Sequence, residues 1–320
     1  MNYIPCRCFL SLLLLGIWAP GRAQPPGSYT QEISMTTEND NYLFNFNDRY
    51  YTNGLILEYR FILPDTGSMA KQNISKRILT FGIGQKIYTP TDINILEYHD
   101  YDRPYAGWLF TASTLSYFLK KQTAVNFSLE LGVTGSYSLA EKVQKWWHRL
   151  VDYTEPAGWD HQIANGVGLN FTTAVTKAWV VNNYLDIIST STLQIGTHNQ
   201  NGSQEFALRI GAFYSLDHSA QLNGGLASDN LAINHSSEHY ALIGVRFHSV
   251  LHNALIQGDL WPNYSPHLEK PNPNFNSYHL GWVSSFKNYT IKLTAYYLTP
   301  EVHGGSDHMY GSILLSFRIK

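Results

Sequence analysis

Alternation sets the strongest limit on how this chain folds. The segment GLILEYRFIL (54–63) places apolar residues at every second position, and eleven further stretches of similar length do the same. They are QEISMTT (31–37), RILTFGIGQKIY (77–88), GWLFTASTLSYFL (107–119), AVNFSLELGVTG (124–135), GVGLNFTTAV (166–175), NNYLDIISTSTLQIG (182–196), EFALRIGAFYSL (205–216), HYALIGVRFHSV (239–250), SYHLGWVSSF (277–286), YTIKLTAYYL (289–298) and YGSILLSFRI (310–319). A period of two belongs to strands, and about 9–11 residues is what a tilted strand needs to cross a bilayer. A soluble β-sandwich produces a similar pattern, so alternation alone does not choose between them.

The joins between segments carry the distinction. After strands four, six and ten they are short (KKQT, TKAWVV, KN), and after odd-numbered strands they are longer and more polar. Outer-membrane barrels have that asymmetry, with short periplasmic turns and long outside loops. The join after strand eight, DHSAQLNGGLASDNLAINHSSE, breaks the rule. ALIQGDLW (254–261) is assigned to an outer loop, which keeps the strand count even. The expectation is an all-β chain, a transmembrane antiparallel β-barrel of about 12 strands with a short helix in an extracellular loop.

Residues 1–23 read as a signal peptide: Arg7 in a short basic start, an apolar run from Phe9 to Trp18, and small residues at Gly21 and Ala23. Residues 24–320 are then the outer-membrane barrel domain. Cys6 and Cys8 leave with the signal, so the exported chain has no thiol chemistry. The loss of Arg7 and Arg22 lowers the basic count from 22 to 20 against 24 acids, a mildly acidic balance that excludes nucleic acid as the obvious partner. Aromatic and charged residues each make up 14 %, a ratio suited to rings at a membrane interface.

Three stretches on the outer side bear chemistry. TTENDNYLFNFNDRYYTNG (36–54) gathers Asn39, Asp40 and Thr52 at the rim, although Asn, Asp and Gly are also ordinary turn formers. GSYSLAEKVQKWWHRLVDYTEPAGWDHQIANG contains a capping box, Ser138 with Glu141, ahead of a helix over 139–150. Gln144 and His148 project from one face of that helix, flanked by Lys145 and Arg149. Histidine suits general-base work near neutral pH, and the competing reading is an amphipathic helix whose rings sit in the interfacial belt. In YHDYDRPYAGW (98–108), Asp102 and Arg103 read either as a rim salt bridge or, for Arg103, as a phosphate ligand. His99 and His161 lie in the same loops, where plain polar surface is the commoner role.

Neither a Gly-Xaa-Ser-Xaa-Gly elbow nor a His-Glu-Xaa-Xaa-His zinc pair occurs. A hydrolytic site here would use a water activated by His148, with a metal or amide donors stabilising the oxyanion. Asp40 among oxygen donors suits calcium better than zinc.

With END…YYTNG, DRPYAGW, Q-x-x-x-H and GWDHQ in order, the chain resembles the lipid A 3′-O-deacylase family of outer-membrane enzymes, most densely from Ile33 to Asn165. The resemblance implies a twelve-stranded barrel that removes the 3′-linked acyloxyacyl chain of lipid A, in lipopolysaccharide, by calcium-dependent ester hydrolysis at a site facing the extracellular leaflet. It implies His148 as general base, Asp40 as calcium ligand, Asn39 and Thr52 shaping the metal site or oxyanion pocket, and Gln144 beside them. Arg103, Lys145 and Arg149 are the candidate substrate contacts. Two departures stand out: TDINILE lacks the family's basic residue after strand three, and ANG (164–166) lacks an acidic residue near Gly166. An esterase or phospholipase acting on other lipids, or a non-catalytic pore or adhesion barrel, are the alternatives.

Overall fold

A computed structural model describes residues 29–43, 48–64, 73–227, 237–261 and 264–320. The signal sequence expected over 1–23 lies outside the described residues. Twelve antiparallel strands close into a barrel in which each strand pairs with its sequence neighbours and the first pairs with the last. They are β1 (Gln31–Asn39), β2 (Tyr50–Ile62), β3 (Ile74–Thr89), β4 (Ala106–Leu119), β5 (Thr123–Val133), β6 (Val167–Asn182), β7 (Leu185–Gly196), β8 (Asn199–Ala212), β9 (Ser237–Asn253), β10 (Asn274–Phe286), β11 (Tyr289–Leu298) and β12 (His308–Ile319). No helix among the described residues is long and apolar enough to cross a membrane.

The alternation has the sense opposite to that of a soluble barrel. Ile33, Met35, Leu55, Leu57, Phe81, Ile83, Leu129 and Leu131 face outward and are exposed, while Glu32, Ser34, Arg60, Lys76 and Arg209 point inward and are buried. An apolar exterior around a polar interior is the pattern a bilayer solvent selects. Inside, Glu32 accepts from Arg60 at 2.8 Å and lies 3.2 Å from Arg318, and Asp186 pairs with Arg209 through Nε at 3.1 Å.

Three joins differ from expectation. Thr176–Val181 continue β6, because every residue from Asn170 to Val180 finds a partner on β7. The join after strand seven shrinks to Thr197 and His198, because Asn199–Gln204 extend β8 and pair with β9. The long join after strand eight folds back into the barrel's short-turn end. There Leu216 and Leu226 are fully buried, Lys76 Nζ donates to the Leu226 carbonyl at 2.7 Å, and Arg209 Nη1 donates to Ser219 at 2.7 Å. The described part of that join, 213–227, thus packs against inward-facing side chains of the barrel. Ala254–Gln257 form one helical turn in a loop and add no strand.

The loop between β5 and β6 carries the one longer helix among the described residues, α1 (Ala140–Leu150). The expected capping box is absent. Leu139 takes the N-cap position in a left-handed conformation with no side-chain cap, and the Ser138 hydroxyl instead donates to the Gly135 carbonyl at 2.6 Å. A tight 3-10 turn over Gly135–Ser138 precedes the helix and points Ser138 toward the barrel wall, away from the N3 amide.

Candidate active site

Strand register places the site on the outside of the barrel wall. Asn39 on β1 pairs with Asn53 on β2, Asn53 with Ile87 on β3, and Ile87 with Gly107 on β4. Paired residues share a face, and this row has the outward parity of Leu55, two residues beyond Asn53. Helix α1 lies over the row. A Cβ at Gly107 would come within 2.1 Å of Ser138 Oγ and 2.3 Å of the Ala140 Cβ, so only glycine lets the helix start approach so closely. Gln85, outward on β3, donates to the Ser138 carbonyl at 2.6 Å and holds the same end.

Between wall and helix is a cleft of about 250 Å³, counting the solvent at its mouth. Asn39, Thr52, Asn53 and Ile87 line it from the wall, Gln144, Trp147 and His148 from the helix, and Asp48 from the β1–β2 loop. A bulge between Tyr51 and Asn53 makes Thr52 the extra residue of β2, turning its hydroxyl toward the loop. Thus Asn39, Thr52, Gln144 and His148, some hundred residues apart in sequence, share one cleft, with Asp40 adjoining through the same loop.

Asp48 joins the two halves, and sequence reasoning passed over it. Its Oδ1 accepts from the Thr52 hydroxyl at 2.9 Å, and its Oδ2 lies 2.8 Å from His148 Nε2. The signal was present: a carboxylate four residues ahead of Thr52, in NDRYYTNG. His148 Nδ1 faces the Thr154 carbonyl at 2.6 Å, which requires the ring to donate there. Burial pulls the His148 ring down, yet the bonds to Asp48 and Thr154 outweigh it and leave the pKa above its ordinary value. Both ring nitrogens are therefore engaged, Nδ1 by the Thr154 carbonyl and Nε2 by Asp48.

Gln144 is oriented by a partner that was also missed. The indole N–H of Trp159, fully buried, donates to Gln144 Oε1 at 2.8 Å. This leaves the Gln144 amide nitrogen buried without a partner. An amide whose oxygen is already satisfied presents only its donor end to the cleft.

Asp40 is buried beside this arrangement. Its Oδ2 accepts from the Arg49 amide at 3.0 Å, while Oδ1 and the neighbouring Asn41 Oδ1 have no partner. Burial, then the charge of Asp48, pushes the Asp40 carboxyl up to about 8, against weaker lowering led by the Arg49 amide. Two orphaned, buried oxygens, one on the Asp40 carboxyl itself and one on the neighbouring Asn41 amide, are a donor set suited to a hard cation. Among the described residues no three His, Cys, Asp or Glu side chains gather for a metal. A cation here would therefore draw on mixed carboxylate, amide and hydroxyl oxygens.

Arg103 is not at an exposed rim. It is buried, packs over the Tyr88 ring at 4.1 Å and faces Glu301 at 3.4 Å. The expected Asp102–Arg103 bridge is replaced, since Asp102 accepts from Tyr50 at 2.7 Å and from the Thr91 amide at 2.9 Å. Lys145 pairs with Glu141 and Arg149 with Glu155, on a flank of α1 outside the cleft lining. His99 is exposed, and His161 lies 4.9 Å from the Tyr98 ring. Near Gly166, where the chain lacks an acidic residue, the carboxylate of Asp259 arrives from another loop: a Cβ on Gly166 would sit 2.0 Å from Asp259 Oδ2.

The closed twelve-stranded wall, apolar without and charged within, defines an outer-membrane β-barrel protein. The family profile described as outer membrane protein LpxR matches residues 8–319, and the chain belongs to that family. Among solved structures, LpxR from Salmonella typhimurium superposes with a TM-score of 0.70 at 20 % identity, over 90 % of this chain and all of that one. The beta domain of the Bordetella autotransporter BrkA follows the chain at a TM-score of 0.46 and 9 % identity, over 91 % of this chain and 100 % of its own. No curated protein matches the chain by sequence.

Proposed function

We propose that this protein is a lipid A 3′-O-deacylase that hydrolyses the ester of the 3′-linked acyloxyacyl chain of lipopolysaccharide, with the loop-rich end of the barrel outermost. The observation that carries this reading is the side of the wall on which the cleft opens. Asn39, Asn53 and Ile87 belong to the outward-facing row, so the cleft meets lipid laterally without passing through the lumen. A soluble substrate would have no need of that placement.

In this reading His148 is the base. With the ring neutral, its one proton on Nδ1, and Asp48 turned from His148 toward its other partners, Thr52 and Asn41, a water in the cleft loses its proton to the free Nε2 as its oxygen attacks the ester carbonyl. Thr154 keeps the ring in one tautomer throughout. The unpartnered amide of Gln144 donates to the oxyanion, and the protonated His148 returns its proton to the departing sugar oxygen. Calcium, held by Asp40 and Thr52 with amide oxygens of Asn39 and Asn41, would supply a Lewis acid for the carbonyl. Asn39 is already positioned, because its Oδ1 accepts from the Asn41 amide at 2.8 Å.

The test is mass spectrometry of lipid A from cells expressing the wild type or His148→Ala, with and without a calcium chelator. Loss of the 3′ acyloxyacyl mass only with the wild type and calcium is the expected result. An unchanged lipid A profile with released phospholipid fatty acid would make the protein a phospholipase, and no acyl release at all would remove the enzymatic reading.

A further inference from the structure

Helix α1 carries more on its surface than the cleft explains. At 100° per residue its eleven positions sort into three faces. Ala140, Gln144 and His148 are buried against the wall. Val143, Trp146, Trp147 and Leu150 form a second face and are exposed by 38, 57, 39 and 60 %. Glu141, Lys142, Lys145 and Arg149 form the third, with three cations to one anion. The apolar and charged faces lie on opposite flanks of the buried one, each roughly 100° from it.

Four large apolar side chains left open on one short helix would be costly beside water. The apolar flank is also continuous with the lipid-facing wall. Val143 and Trp147 border the cleft together with Ile87, and further along β3 on the same outward face come Ile83 and Phe81, each about half exposed. Leu139, exposed by 45 %, extends the flank at the helix start. A basic flank beside an apolar one is the distribution of a helix that lies in a membrane surface.

We propose that α1 is an interfacial helix seated in the lipid leaflet, with Val143, Trp146, Trp147 and Leu150 among the acyl chains and Lys142, Lys145 and Arg149 at the level of anionic headgroups. The occupant of the apolar face is the bilayer itself. The helix then fixes the depth of the cleft: Gln144 and His148, on the face between the two flanks, sit at the boundary of chain and headgroup, where an acyl ester lies. The claim about depth rests on the ester-hydrolase reading, whereas the claim about membrane contact does not.

The experiment uses the full barrel in liposomes containing phosphatidylglycerol, with Cys6 and Cys8, if retained, changed to serine. Single nitroxide labels are attached at Trp146→Cys, Leu150→Cys, Lys142→Cys and, as a wall reference, Ile83→Cys. Collision rates are then measured with oxygen, which partitions into lipid, and with a water-soluble nickel chelate. Labels at 146 and 150 should match the oxygen-rich reference at 83, and the label at 142 should be nickel-accessible. Nickel accessibility at 146 and 150 equal to that at 142 overturns the proposal. In a second arm, the Trp146→Gln/Leu150→Gln pair should raise KM for bilayer-embedded lipid A several-fold without changing kcat, and an unchanged KM overturns the claim about depth. If the wild type releases no acyl chain, the hydrolase reading fails, and the accessibility arm still decides whether the helix is in the membrane.

Discussion

Two buried polar clusters sit at opposite ends of this barrel, and they differ in whether their hydrogen bonds close. At the short-turn end Arg209 donates to Asp186 and to Ser219, Ser219 donates to Glu238 at 2.7 Å, and Glu238 also accepts from the Ala220 amide at 2.7 Å. The Arg209 guanidinium further packs over the Phe213 ring at 4.1 Å. At the loop end Asp40 Oδ1, Asn41 Oδ1 and Gln144 Nε2 are equally buried and partnerless. A buried polar group left unpaired costs about 1–3 kcal/mol, so a closed network stabilises a fold and an open one awaits something from outside. The first cluster is architecture, and the second is the candidate site.

Substitutions should separate the two clusters. The largest effect expected is on chemistry: His148→Ala should lower deacylation by about 10²–10⁴-fold while the barrel stays folded and heat-modifiable on gels. Next, Arg209→Ala should leave Asp186 charged and unpaired in the lumen at a cost of about 3–5 kcal/mol, read as a lower denaturation midpoint with residual activity per folded molecule unchanged. Trp159→Phe keeps the ring and removes the N–H, freeing Gln144 to flip. A fall in kcat of about tenfold is expected, and no further fall in a Gln144→Ala background, the signature of a residue that acts through Gln144.

A further pair of effects is on pH. The folded-state pKa of His148 is raised, so the stability it contributes through Asp48 and Thr154 is complete below its ordinary value of 6.5 and declines as pH rises through the raised value. In calcium-free protein the β1–β2 loop should therefore loosen from α1 toward alkaline pH, and Asp48→Asn should weaken that dependence. Amide hydrogen exchange at Arg49 and Tyr50, compared at matched intrinsic rates, would reveal it. Asp40 works in the opposite sense to an ordinary salt-bridged acid: with its carboxyl raised to about 8, calcium-free protein loses stability as pH climbs from about 4 to 8. Asp40→Asn should abolish that loss.

Much of this was readable in order. Strand identity followed from alternation because a bilayer outside and a polar lumen inside give each side chain on a strand an opposite solvent. Asn39, Thr52, Gln144 and His148 could be picked out by chemistry and by helical spacing. Asp48 stood four residues ahead of Thr52 as a carboxylate, but its role was not legible there, because its significance lies in Thr52 and His148 meeting it from different elements. Trp159 was hidden for the same reason. Arg103 misled because a charged residue before proline reads as surface, whereas the fold stacks it on Tyr88 inside the loop cluster. The capping box failed because Ser138 is drawn to the Gly135 carbonyl in a preceding 3-10 turn.

The sequence by itself determined the strands and a count of about twelve, since a period of two is a local property that each segment states alone; which face of each strand is outward came from the structure. Only the tertiary structure decided that the candidate site lies on the outer face of the wall, that residues 213–227 of the long join after β8 pack against inward-facing side chains, and that Asp48 ties the β1–β2 loop to α1. Those facts depend on register and loop packing between segments far apart in the chain, and a one-residue slip in pairing would have turned the row of Asn39, Asn53 and Ile87 into the lumen.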